Sequence, residues 1–216
     1  MRRGWLARWL GPGLGLVVLV HAGGCTPQGD PSVSSSGLQE TFDRRKLGDL
    51  WHNTGGPYRI DEGQLHVRGA RNKPLWLRRT LPRDVRIEVD ARSESPEGDI
   101  KLEIFGDGVS HAESTSYTAT SYVVILGGWN NTLNVIARMD EHGDDRVEGP
   151  RRPIEPGRAY RLRIDRVGDE LTVFVDGDEL MSMVDDEPLE GRGHDHFAFN
   201  NWESDVWFDN LRITPL

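Results

Sequence analysis

Asp99, Lys101 and Glu103 recur at every second position of Asp99-Ile100-Lys101-Leu102-Glu103-Ile104-Phe105. In an extended chain successive side chains point to opposite faces, so two carboxyls and an ammonium share one face. Such a set can move protons, or it can be a solvated face that carries its own counter-ion. Glu88 and Asp90 form a second same-face pair in Val85-Arg86-Ile87-Glu88-Val89-Asp90-Ala91. His194-Asp195-His196 offers two imidazoles to one face, but no third ligand stands at a metal-site spacing, and the segment reads as a polar loop. The acidic run Asp140-Glu141-His142-Gly143-Asp144-Asp145 lacks the ligand spacing of an EF-hand and reads as a solvated loop. Two tryptophans stand among small and amide residues, in Gly127-Gly128-Trp129-Asn130-Asn131-Thr132 and Asn200-Asn201-Trp202-Glu203. An indole can stack on the apolar C–H face of a sugar while flanking amides bond its hydroxyls. Trp129, Asn130, Asn131, Asn201 and Trp202 are therefore the expected ligand-binding residues; packing in the core is the competing role of the indoles.

These residues need a rigid support, and the chain supplies one from about residue 40. Gln64–Arg68, Val85–Ala91, Asp99–Phe105, Tyr160–Asp165 and Val206–Ile213 alternate apolar and polar residues, the mark of antiparallel strands with one buried face. Leu171–Val175 and Asp178–Val184 flank Asp176-Gly177, a favoured hairpin corner. No helical period exceeds two turns. The expected fold is all-β: a two-sheet antiparallel jelly-roll sandwich.

Composition narrows the function classes. The formal charge of −9 argues against a nucleic-acid partner, which would select a basic face. One cysteine excludes an intramolecular disulfide and a Cys-based zinc cage. The amino terminus carries Arg2, Arg3 and Arg8, then the apolar stretch Leu10–Val20, then Ala22-Gly23-Gly24-Cys25. That order is a secretory signal, too short to span a bilayer. Residues 26–37, rich in Ser, Pro and Gly, read as a flexible spacer.

Ala22-Gly23-Gly24-Cys25 resembles the lipobox of bacterial lipoproteins, with Ala22 where leucine is commonest. The resemblance implies a signal peptide over 1–24, acylation of Cys25, a linker over 25–39 and a domain over 40–216. Thr26, in place of an inner-membrane retention aspartate, points to the outer membrane. The lipid anchor would be the only membrane contact, in the cell envelope and outside the cytoplasm. From Thr41-Phe42-Asp43 through Tyr58–Leu65 and Val173-Phe174-Val175-Asp176-Gly177 to Val206–Ile213, the order of signals resembles the concanavalin A-like lectin/glucanase superfamily. Its laminin-G-like members and the 3-keto-disaccharide hydrolase domain are the nearest in pattern. Retaining glucanases of that superfamily carry Glu-x-Asp-x-(x)-Glu on a strand; here Glu88-Val89-Asp90 is followed by Arg92 and Ser93, and the second glutamate is missing. The superfamily also implies a structural calcium ion, with Asp209 in the last strand and Asp43 near the domain start as its ligands.

The expected function is a lipid-anchored lectin-like module that binds a carbohydrate. The alternatives are a glycoside-type hydrolase acting on a (3-keto-)disaccharide, with Glu103, Asp99 or Glu88 as its acid–base groups, and a structural or adhesion lipoprotein.

Overall fold

The computed structural model describes Met1 and residues 29–114 and 117–216. The signal segment and Cys25 lie outside the described residues, so the expected cleavage and acylation have no structural counterpart here. The described residues form fifteen strands: β1 (Leu38–Glu40), β2 (Trp51–Asn53), β3 (Arg59–Asp61), β4 (Gln64–Arg68), β5 (Leu75–Leu77), β6 (Val85–Ser93), β7 (Ile100–Gly106), β8 (Tyr122–Gly127), β9 (Leu133–Arg138), β10 (Val147–Glu148), β11 (Ala159–Val167), β12 (Glu170–Val175), β13 (Asp178–Val184), β14 (His196–Asn200) and β15 (Asp205–Pro215). One antiparallel sheet has the order β13-β12-β11-β6-β15-β4-β3, with β1 added to β15; the other has the order β10-β9-β8-β7-β14-β5-β2. The expected two-sheet sandwich is the observed fold.

Alternation explains the core. Val85, Ile87, Val89 and Ala91 of β6 turn inward against Ile100, Leu102 and Ile104 of β7, and the charged residues between them turn out or to the second face. The aromatic centre is Phe42, Trp51, Phe197, Phe199 and Phe208, with Phe199 and Phe208 rings 4.5 Å apart. Asp176 and Gly177 both have positive φ (57° and 93°), the backbone that matches a two-residue corner to strand twist.

The folded body starts earlier than the boundary expected at residue 40. Val33 is buried and donates its N–H to Thr80 O at 2.9 Å, and Thr80 N–H returns to Pro31 O at 3.1 Å. Part of the segment read as spacer is therefore docked on the sandwich.

Two connections cross from one sheet to the other side by side. Residues 94–99 join β6 to β7, and residues 201–204 join β14 to β15. They are tied together: Glu94 N–H bonds Asp205 O at 2.8 Å, and Asp205 N–H bonds Ser95 Oγ at 2.9 Å. The outer face of the seven-stranded sheet carries a small apolar cluster, Ala119, Val123, Ile125, Val135 and Ala137, against which Tyr117 and Trp129 pack.

Candidate functional site

After β8 the chain turns through a left-handed bend. Gly127, Trp129, Asn130 and Asn131 have φ of 65°, 49°, 56° and 62°. Asparagine tolerates this region; tryptophan does not, and each strained residue costs on the order of 1–3 kcal/mol. The surroundings hold the bend in place. Asn131 Nδ2 donates to Ile154 O (2.7 Å) and Pro96 O (3.0 Å), and Asn131 Oδ1 accepts Ile154 N–H (2.7 Å). Asn134 Oδ1 accepts Gly127 N–H at 3.0 Å. The bend leaves Trp129 packed on the outer face of the sheet but half-exposed, with Arg146 over its ring at 4.9 Å and His142 edge-on at 5.6 Å.

Opposite it stands Trp202, on the β14–β15 crossover. Its backbone N–H donates to Asp99 Oδ2 at 3.3 Å. Asn201 beneath it is fully buried, accepting Ala70 N–H at 3.1 Å and donating to Ser204 O at 2.8 Å. Asp99 precedes β7, and its own φ of 63° places it in a left-handed bend with Gly98. Asp99 is thus not the strand residue expected, although it does reach the site.

Below lies a charged floor. Lys101 is 2% exposed. Its Nζ donates to Glu141 Oε2 at 2.7 Å and to Asn72 Oδ1 at 3.0 Å. Burial alone would lower the lysine pKa, but Asp99 and Glu141 overcome it and raise the value. Burial pushes the Asp99 carboxyl above the usual carboxylate range, with Lys101 opposing and Glu141 reinforcing. Asn200 Nδ2 links Asn72 to Glu103, at 3.3 and 2.6 Å. Glu103 is fully buried, and its remaining bonds come from Ser121 Oγ (2.6 Å) and Tyr117 OH (3.1 and 3.2 Å). Burial raises its pKa to about 7, against the lowering effect of the Ser121 and Tyr117 bonds.

Trp129, Asn130, Trp202, Asp99, Lys101 and Glu141 line one pocket of about 630 Å³ on the outer face of the seven-stranded sheet, with Arg68, His142 and Glu203 also on its wall. The volume suits a small ligand. Two indoles, several hydrogen-bonding groups and a buried ammonium among carboxyls can grip a polyol and exchange protons with it.

Several expected site residues take other parts. Asn131 and Asn201 do not line the pocket; their amides are spent on backbone groups that shape the two Trp-bearing turns. Glu103 lies behind the floor, enclosed by its donors. Glu88 belongs to the other sheet, where it and Asp90 face Arg161 at 3.6 and 2.9 Å, so neither reaches the pocket. Conversely Glu141 and His142, read as part of a solvated loop, form the pocket wall.

The expected calcium ligands are Asp43 and Asp209. Asp43 is exposed. Both Asp209 oxygens accept N–H groups, Oδ1 from Asn210 at 2.7 Å and Oδ2 from Gln64 at 3.3 Å. Among the described residues no three His, Cys, Asp or Glu side chains converge as an ion would require. Asp43 and Asp209 belong to no such cluster.

The fold has solved counterparts. The carbohydrate binding module CBM66 from Bacillus subtilis superposes with a TM-score of 0.60 at 14% identity, over 81% of this chain and 99% of that one. The VIP36 exoplasmic/lumenal domain, in its Ca2+/Man-bound form, gives 0.61 at 11% identity, over 82% and 89%. In sequence, 143 residues are 27% identical to an extracellular exo-alpha-L-arabinofuranosidase of Streptomyces chartreusis. That stretch is 65% of this chain but 16% of the relative, so the chain spans a small part of that protein's length. Over residues 37–214, almost the whole sandwich, the sequence matches one described family, and the chain belongs to the 3-keto-alpha-glucoside-1,2-lyase-like domain family.

Proposed function

We propose that the outer-face pocket binds a carbohydrate. The observation that carries this reading is the meeting of Trp129 and Trp202, brought from separate turns to one pocket that Asp99 and Lys101 also line. Both indoles are half-exposed although each sits on a backbone held in place by side-chain amides. A core role would bury them, as it does Trp76, which is 0% exposed. The similarity to a carbohydrate binding module and to a mannose-bound lectin domain supports the same ligand class. The test is calorimetric titration of the 29–216 domain with neutral mono- and disaccharides, including 3-keto-glucosides. Trp129→Ala and Trp202→Ala should each weaken binding tenfold or more, about 1.4 kcal/mol. Unchanged affinity in both variants removes the site.

Turnover is the second reading, favoured by the floor. A lectin pocket has no need of a buried ammonium set among three carboxyls, and building one is costly. The family description supports cleavage of a glycoside bearing a ketone at C3, by loss of the C2 proton and the C1 substituent.

We also propose that the protein acts outside the cytoplasm, held to the outer membrane by acylated Cys25. The basic and apolar residues ahead of Ala22-Gly23-Gly24-Cys25 support this. Cys25→Ser should move the protein from the membrane fraction to the soluble extracytoplasmic fraction; retention in the membrane refutes the anchor.

A further inference from the structure

We infer that Asp99 is the group that exchanges a proton with the bound sugar, while the free N–H of Lys101 holds the oxygen on which negative charge builds. The assignment rests on the cleavage reading above and sorts the carboxyls of the site by what already occupies them. Glu103 is closed off by Ser121, Tyr117 and Asn200 and does not line the pocket. Glu141 holds Lys101 at 2.7 Å, and Glu203 on the rim pairs with Arg71 at 2.7 Å. Glu97 stands exposed on the crossover. Asp99 lines the pocket, is partly desolvated and, unlike Glu141, is paired with neither Lys101 nor a histidine: Oδ2 takes the Trp202 backbone N–H, and Oδ1 has no hydrogen-bond partner among the described residues.

Lys101 is complementary. An ammonium carries three N–H donors, and two of them are used, on Asn72 and Glu141. The third is available at the pocket floor. Its surroundings favour the charged form, so it cannot serve as the neutral amine that imine formation with a ketone demands. It is suited instead to an anion, as a fixed charge that needs no rearrangement when the anion forms. The left-handed backbone of Asp99 is a further sign, since such strain persists where the surroundings impose it and is concentrated at functional sites.

The Asp99 carboxylate takes the proton from the carbon between the ketone and the glycosidic carbon. The C–H electron pair becomes the C=C bond of an enolate whose oxygen accepts the Lys101 N–H. Collapse of the enolate restores the ketone, moves the C=C to the glycosidic carbon and expels the alkoxide. The alkoxide takes the proton back from Asp99. No oxidant or reductant is needed, and the products are an alcohol and a keto-enol ether of the sugar ring.

The experiment uses methyl 3-keto-α-glucoside in D2O, followed by proton NMR for loss of the C2 proton signal and release of methanol, with affinity measured in parallel. Wild type should exchange or eliminate. Asp99→Asn should bind within about threefold of wild type and lose at least a hundredfold in rate, the lower end of what a positioned acid–base group contributes. Asp99→Glu, which displaces the carboxyl by one methylene, should lose ten- to a hundredfold, and stands in if the asparagine variant does not fold. Rates equal to wild type in either variant overturn the assignment. Binding by wild type with no exchange overturns it too and leaves the carbohydrate-binding reading intact, whereas absence of binding by wild type removes the site itself.

Discussion

Replacing Asn131 by alanine tests the claim that the Trp129 turn is a strained platform held by one amide. The Asn131 side chain makes three hydrogen bonds that bridge otherwise separate segments, to Pro96 O, Ile154 O and Ile154 N. At about 1 kcal/mol net for each, their loss is worth about 3 kcal/mol. Alanine also tolerates the φ of 62° less well than asparagine does, which adds about 1 kcal/mol. Asn131→Ala should thus cost about 4 kcal/mol, and at 2–4 °C per kcal/mol for a domain of this size the melting temperature should fall by about 8–16 °C. Asn131→Gly separates the two contributions, because glycine keeps the left-handed backbone without strain. It should be the milder variant by about 1 kcal/mol. Urea and thermal unfolding followed by tryptophan fluorescence would measure both. A loss below about 1 kcal/mol in the alanine variant, or a glycine variant no better than alanine, refutes the reasoning.

Lys101→Met leaves Asp99 and Glu141 without their cation and should destabilise the domain by about 3–5 kcal/mol, of which Lys101→Met/Glu141→Gln regains part; equal stability of the two variants in urea refutes the coupling. Glu103 carries a proton more tightly in the folded state, at about 7 against the ordinary 4.5. Its contribution is therefore full below pH 4.5 and is lost as pH rises to about 7, a change on the order of 3 kcal/mol. Stability measured across that range should fall less steeply in Glu103→Gln than in wild type, and parallel profiles would show that Glu103 does not titrate there. Because N–H donors already occupy both Asp209 oxygens, excess EDTA or calcium should leave the melting temperature within about 1 °C, and a larger calcium-dependent rise would reveal an ion.

Much of the scaffold is legible in the chain because its causes are local. Alternation marks β4, β6, β7, β11 and β15 to within a few residues, and Asp176-Gly177 marks its hairpin. The site is only half legible, for the opposite reason. Trp129 and Trp202 stand out by composition, but nothing nearby shows that Asn131 is taken up by Ile154, twenty-three residues on, or Asn201 by Ala70. Glu141 looks like part of a hydrated acidic run because its partner, Lys101, lies forty residues away. Glu103 has the right face of the right strand, yet Tyr117, Ser121 and Asn200 close over it from other segments. Asp99 escapes the strand pattern because Gly98 and Asp99 itself bend the backbone before β7 begins.

The paired crossovers at 94–99 and 201–204 give the sandwich an unexpected lever. Asp99 rides on one and Trp202 on the other, and a hydrogen bond from the Trp202 backbone N–H to the Asp99 carboxylate joins the two. The gap between carboxyl and indole is therefore set within the seven-stranded sheet, where Lys101 of β7 lies opposite Asn200 of β14 just inside the two crossovers. A slip in that one strand pairing would change grip and selectivity together, because carboxyl and indole ride at the ends of neighbouring strands.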